Sequence, residues 1–400
     1  MHHSLLPVVL LGLGLGVASA ATTDWPHLRG PDQASATVPA PAQPLTLDGA
    51  TVAWRHQVGV GCSGIVVGDG LALVSGNVAD QETLYAFALE DGSEVWQFRY
   101  EEPIGASGFK GGPVMAPTIA DGKVYWSSRQ GQAFCVQLAD GAEVWRRNLQ
   151  VEEQMNPPRW GFCGSPILAD GALYWNLGDH GTALDPATGE TIWCSGGGGA
   201  GYAAPVLRQT DDGPRLLLFT ADALVQVKPA DGQQDWSHAW TTDWDVNAAV
   251  PIVCDEGIIV GSGYDTGTGL LDHGGSSLIW FKDDLLHQMS GPVLVDGVLY
   301  GVNASKGKPG LLYAADPATG AMHWTAPGFG TGALIAVGDQ LVVISADGDL
   351  VLAAADPASY QEQGRMKELL GRRCWMAPSY VDGSILVRND EGSIVRVAVP

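Results

Sequence analysis

Positive charge is scarce in this chain: 21 Lys and Arg stand against 44 Asp and Glu, a formal net charge of −23. A field of that sign repels nucleic acid and anionic lipid headgroups, so neither is expected as a general partner. Cysteine is sparse too. Cys62, Cys135, Cys163, Cys194, Cys254 and Cys374 form no CxxC, no CxxCH and no adjacent pair, which excludes a haem-attachment signature. No two histidines stand at i,i+4 and HExxH is missing, so no metal site is expected. There is no GxSxG elbow. The run GGGGAG, 196–201, fits GxGxxG formally, but no βαβ unit surrounds it and it reads as a flexible loop.

Long apolar runs are missing after residue 20, so nothing there is expected to insert in a bilayer. The start, MHHSLLPVVLLGLGLGVASA, has a short apolar stretch and small residues at Ala18-Ser19-Ala20. It reads as a secretory signal cleaved after Ala20, with an uncleaved anchor as the alternative, because its first residues hold no Lys or Arg. The expected location is periplasmic or secreted. Residues 21–50 form a leader segment, and 51–400 the main domain.

At 400 residues the chain exceeds one conventional core, so it must split or repeat. It repeats. Trp54, Trp96, Trp145, Trp193, Trp236, Trp280 and Trp324 recur at intervals of 42, 49, 48, 43, 44 and 44 residues. Turns such as EDG, ADG and ATG precede most of them, and upstream lies an apolar run broken by Asp-Gly, as in TIADGKVYW and ILADGALYW. Asp-Gly between alternating apolar runs is a strong hairpin signal, and hairpins at this period build four-stranded propeller blades. The landmarks place blades near 62–100, 115–149, 163–197, 202–240, 247–285, 289–328 and 330–369. The segment 373–400 supplies three more strands, and 51–58 supplies the fourth, so the N-terminal strand closes an eighth blade and leaves no open edge. The expected fold is all-β, an eight-bladed β-propeller with four-stranded antiparallel blades. Seven blades is the fallback, because 330–369 lacks its Trp and runs into QEQGRMKELL, which reads as a short helical insert.

The phrase ALDPATGETIW, 183–193, returns as AADPATGAMHW, 314–324. Asp185 and Asp316 are expected to cap the turn by accepting from the following amides, while Gly189 and Gly320 supply the positive φ. Each Trp is expected to wedge between blades. A ring burying on the order of 200 Å² contributes roughly 5 kcal/mol gross, so the pattern reads as scaffold.

On these residues the chain resembles the PQQ-like, quinoprotein alcohol dehydrogenase-like propeller family. The shared feature is the tryptophan-docking motif of Ala183, Asp185, Thr188, Gly189 and Trp193, and again Ala314, Asp316, Thr319, Gly320 and Trp324. DWPHLRGPD, 24–32, is similar to the leader of secreted members. The resemblance implies eight blades, and it is nearer to BamB-like, non-catalytic members than to the dehydrogenases.

The A–B and C–D turns are short and alike, whereas the D–A and B–C connections vary. Variable loops on a rigid scaffold are where recognition is expected. The candidates there are Lys110, Arg159, Trp160, Tyr202, Asp243, Trp244, Asp245, Arg372, Arg373 and Trp375. They suit an anionic ring, a sugar or a partner peptide; alternatively they plug the channel and pair with nearby carboxylates such as Asp243 and Asp245. A Cys62–Cys374 bridge across the ring closure stays open beside buried free thiols. The preferred function is a monomeric, non-catalytic exported binder of a protein or carbohydrate, with no cofactor. The alternative that the resemblance implies is a dehydrogenase holding PQQ over Ca²⁺, in which Trp244 with Asp243 and Asp245 would imitate floor and base. The adjacent Cys-Cys pair and long insertions typical of such enzymes are missing.

Overall fold

A computed structural model describes residues 24–305 and 307–400; the expected signal sequence, 1–20, lies outside the described residues. Eight antiparallel sheets of four strands each follow one another around a ring, and one carries a fifth, parallel strand. The chain is an eight-bladed β-propeller. Helix among the described residues is limited to Leu149–Glu152 and the single turn Asp243–Asp245.

Ring closure is as the sequence implies. Strands Ser379–Val381, Ser384–Arg388 and Ser393–Ala398 form the inner part of blade 8, and Thr51–Gln57 pairs antiparallel with Ser393–Ala398 as its outermost strand. Arg388 stitches the seam from inside. Its buried guanidinium donates to Gly61 O, Ser63 O, Ser63 Oγ and Ser75 O at 2.6–3.0 Å. Burial pulls its pKa down to about 10.

The repeated phrase works across two interfaces. Asp185 Oδ1 accepts from Ala187 N and Thr188 N at 2.7 and 3.2 Å, and Gly189 takes φ +74°. That Gly faces Trp145 of the preceding blade, while Trp193, four residues later, lies on Gly232 of the next. The indole N–H of Trp54, Trp96, Trp145, Trp193, Trp280 and Trp324 each donates to a carbonyl of the following blade's turn, at 2.7–3.0 Å. Trp236 packs on Gly275 but leaves its N–H unpaired.

Blade 7 corrects one expectation. QEQGRMKELL contains no helix: Glu362–Met366 is the outer strand, paired with Leu350–Ala354. Gly364 opposes Leu352 in the register slot that Trp occupies elsewhere. The neighbouring blade has no C–D turn for a Trp to meet, because its C and D strands come from opposite ends of the chain. Leu47 of the leader fills the place instead, 3.2 Å from where a Cβ on Gly364 would be.

The leader itself is not peripheral. Trp25 exchanges two backbone hydrogen bonds with Val67 in the innermost strand of blade 1, and Pro26 O accepts from Ile119 N of blade 2. Gln33 bonds both backbone groups of Leu168 in blade 3. Arg29 reaches Pro292 O beside blade 6 at 2.8 Å, and Thr37–Val38 runs parallel to the inner strand of blade 7. Four inner strands, and the residue just before a fifth, are thus tied by one segment. Trp25 and His27 are fully buried, and burial takes the His27 pKa down to about 3. Asp24 sits beside Asp69 and Asp382, so the leader occupies the A–B end of the channel.

Candidate functional site

The opposite end, where the D–A and B–C loops meet, is open. A cavity of about 640 Å³ is lined there by Lys110, Thr331, Asp347, Arg372, Arg373, Trp375 and Glu391, among others. Lys110 comes from the connection between blades 1 and 2. Arg372, Arg373 and Trp375 come from the connection between blades 7 and 8. Asp347 and Glu391 are supplied by the B–C loops of blades 7 and 8.

Every cation of the cavity faces a carboxylate. Lys110 Nζ lies 2.9 Å from Glu391, Arg372 Nε 3.0 Å from Asp347, and Arg373 Nη1 3.5 Å from Asp390. The first two pairs are exposed and contribute little to stability. The third differs, because the Asp390 side chain is fully buried and neither of its oxygens has a hydrogen-bond donor. Burial holds that carboxyl above the ordinary aspartate range.

The remaining candidates form a second group on the same face. Arg159 lies over the rings of both Trp160 and Trp244, at 5.4 and 4.6 Å. Trp160 meets Tyr202 edge to face at 5.9 Å and donates to Ser107 O. Trp244 is 57% exposed, with φ +68°, a conformation few bulky residues adopt. Asp243 and Asp245 flank it, while Arg372, Arg373 and Lys110 pair with Asp347, Asp390 and Glu391. The alternative of cations paired with nearby carboxylates holds for Lys110, Arg372 and Arg373, with Glu391, Asp347 and Asp390 as the partners in place of Asp243 and Asp245.

The loop 102–112 joins the two groups. Its Ser107 takes the Trp160 bond, its Phe109 ring lies 6.4 Å from Trp375, and its Lys110 meets Glu391. Arg129 anchors this loop by donating to Ile104 O and Gly105 O, and ties it to the platform by donating to Trp160 O. Sequence reasoning missed Phe109, Arg129, Asp347, Asp390 and Glu391. The signal was present in the B–C loops ADGD and RNDEG, where 44 acids made any single one uninformative.

All six cysteines are free. The Cys62–Cys374 bridge is not formed; Cys374 Sγ turns to Gly371 O at 3.3 Å, and burial pushes both thiols up to about 12. In the glycine run, Gly198 N and Gly199 N close on Asp179 Oδ1 of the neighbouring B–C loop, so it is a loop pinned by a carboxylate from outside it.

A family profile described as "Outer membrane protein assembly factor BamB" matches residues 80–326. No curated protein sequence matches. Among solved structures, the quinohemoprotein alcohol dehydrogenase from Comamonas testosteroni superposes with a TM-score of 0.73 at 17% identity, over 96% of this chain and 81% of that one. BamB from Moraxella catarrhalis gives 0.63 at 14% identity, over 87% and 97%. A europium-containing methanol dehydrogenase gives 0.70 at 12%, over 93% and 89%. At such identities the likeness is one of fold, shared by enzymes and assembly factors alike.

Proposed function

The chain belongs to the family of the outer membrane protein assembly factor BamB, and on that premise we propose that it is an exported, non-catalytic binding protein that engages a protein partner through the D–A/B–C mouth. The observation that carries this reading is the charge-balanced cavity, walled by Trp375 and bridged by Phe109 to the Trp160–Arg159–Trp244 platform. Balanced charges at a rim fix register and partner choice more than affinity, and exposed aromatics supply the anchors.

The cofactor of the dehydrogenases fits these residues poorly. PQQ is a tricarboxylate, whereas Lys110, Arg372 and Arg373 already face Glu391, Asp347 and Asp390. Among the described residues no group of three or more His, Cys, Asp or Glu is placed to hold a metal ion such as Ca²⁺.

Photo-crosslinking tests the reading. A crosslinking side chain at Lys110 or Arg372 is expected to trap one specific protein, with trapping lost on Trp375→Ala. The same probe at Glu90, in a C–D turn on the opposite face, is expected to trap nothing. Trapping from Glu90 alone, or saturable quenching of Trp fluorescence by PQQ with Ca²⁺, would overturn it.

A further inference from the structure

Asp390 is the least satisfied charged group at the mouth. Its side chain has no solvent exposure, and both carboxylate oxygens lack a donor. Burying a carboxylate without hydrogen bonds is expensive, and a native protein that does so usually leaves room for a missing partner group. Neighbouring cations do not supply it. Arg388 spends its guanidinium on Gly61, Ser63 and Ser75. Lys110 faces Glu391. Only Arg373 approaches, at 3.5 Å, and makes no hydrogen bond there.

Arg373 is placed as a movable stand-in. Its backbone is fixed, with N bonded to Ala346 O at 2.7 Å and O accepting from Asp390 N at 3.2 Å. It is held at φ +67°, in the left-handed region. Its side chain, by contrast, is half exposed and lines the cavity, so it can leave without disturbing the loop.

We propose that the mouth cavity receives an arginine side chain of the protein partner, with Asp390 as its anchor and Arg373 as the intramolecular guanidinium that covers Asp390 until the partner arrives. A planar fork matches two open carboxylate oxygens in a way an ammonium does not. Trp375 and Phe109 offer aromatic faces along the way in. Asp347 and Glu391 stand on the rim, and the net charge of −23 steers a basic segment toward the protein. The desolvated, raised carboxyl of Asp390 is what an incoming cation would neutralise.

This inference rests on the mouth being the partner face, and its test separates the two. The probe is an acetylated, amidated tripeptide with one central arginine, titrated at millimolar concentration and followed by tryptophan fluorescence and amide NMR shifts. Its citrulline analogue is the neutral control. Arg373→Ala is expected to tighten binding at least tenfold, about 1.4 kcal/mol, and Asp390→Asn to weaken it at least tenfold. The citrulline peptide is expected to give no saturable response. Equal binding by Asp390→Asn, no gain from Arg373→Ala, equal citrulline binding, or no saturable response from any of the proteins overturns the proposal. If Asp390→Asn fails to fold, the Arg373→Ala gain and the citrulline control decide it. Crosslinking at the mouth that survives Asp390→Asn would leave the face assigned and the arginine rejected; loss of all mouth crosslinks in the wild-type protein would remove both.

Discussion

Gly189 lies flat against the indole of Trp145 in the preceding blade: a Cβ on the glycine would come 2.8 Å from Trp145 Cδ2. The position also has φ +74°. Gly171, in an A–B turn, has φ +79° but open space where its Cβ would be. Comparing alanine at both sites separates the two effects. Gly171→Ala is expected to cost about 1–2 kcal/mol, the strain of the left-handed conformation alone. Gly189→Ala should cost a further ~1–3 kcal/mol, because the docked ring must shift. Urea denaturation of both variants measures the difference; equal losses would mean that the blade interface yields freely.

The leader, though outside the repeats, is expected to behave as core. Trp25 is fully buried and its backbone pairs with Val67. Trp25→Ala should therefore destabilise by about 3–5 kcal/mol, the range for large buried aromatics. Thermal and urea unfolding read this directly. A loss below about 1 kcal/mol, the scale of ordinary surface substitutions, would mean that the leader detaches without the propeller noticing.

These two cases mark what the sequence made legible. The Trp–Gly spacing exposed blade number and ring closure, because each blade must satisfy the same contact and so repeats the same residues. Leader placement left no such trace: 24–38 forms only a two-residue strand, and its bonds run to five different blades. Glu362–Met366 reads as helix from sequence alone because its strand state is imposed by pairing with Leu350–Ala354, and Gly364 stands where the diagnostic Trp would be. At the mouth, the cations stood out by scarcity in an acidic chain. Asp390 did not, since burial and orphaned oxygens are properties of the packed loop alone.

Stability is expected to fall as pH rises from about 6.5 to 8. Glu82 is fully buried, accepts from Tyr100 Oη, and faces Glu102, Arg129 and Asn77. Burial is the main cause of its pKa rising from 4.5 to about 8. A carboxyl raised in the folded state stabilises fully below its unfolded value and loses that contribution through the folded one. His27 and His287, lowered by burial to about 3 and about 4, act oppositely, but only below their unfolded value of 6.5. Between 6.5 and 8 the carboxyl dominates, at up to about 1.4 kcal/mol per pH unit. Urea midpoints across that window should decline for the wild type and flatten for Glu82→Gln. A flat wild-type profile would show that Glu82 is already ionised at neutral pH.

Trp244 sets stability against recognition. Its left-handed backbone strains a bulky residue, and more than half of its surface meets solvent. What it receives in return is one face against the Arg159 guanidinium at 4.6 Å, worth about 0.5–1 kcal/mol at an exposed site, against about 1–2 kcal/mol of conformational strain. Trp244→Gly should therefore raise the urea midpoint slightly while weakening capture of the partner that crosslinks at the mouth. Residues kept at a cost to the fold are expected where a surface has work to do. If the variant is less stable, the Arg159 stack outweighs the strain and the platform is scaffold; if it is more stable and binds the partner undiminished, the recognition surface ends at Trp375 and does not extend to blade 4.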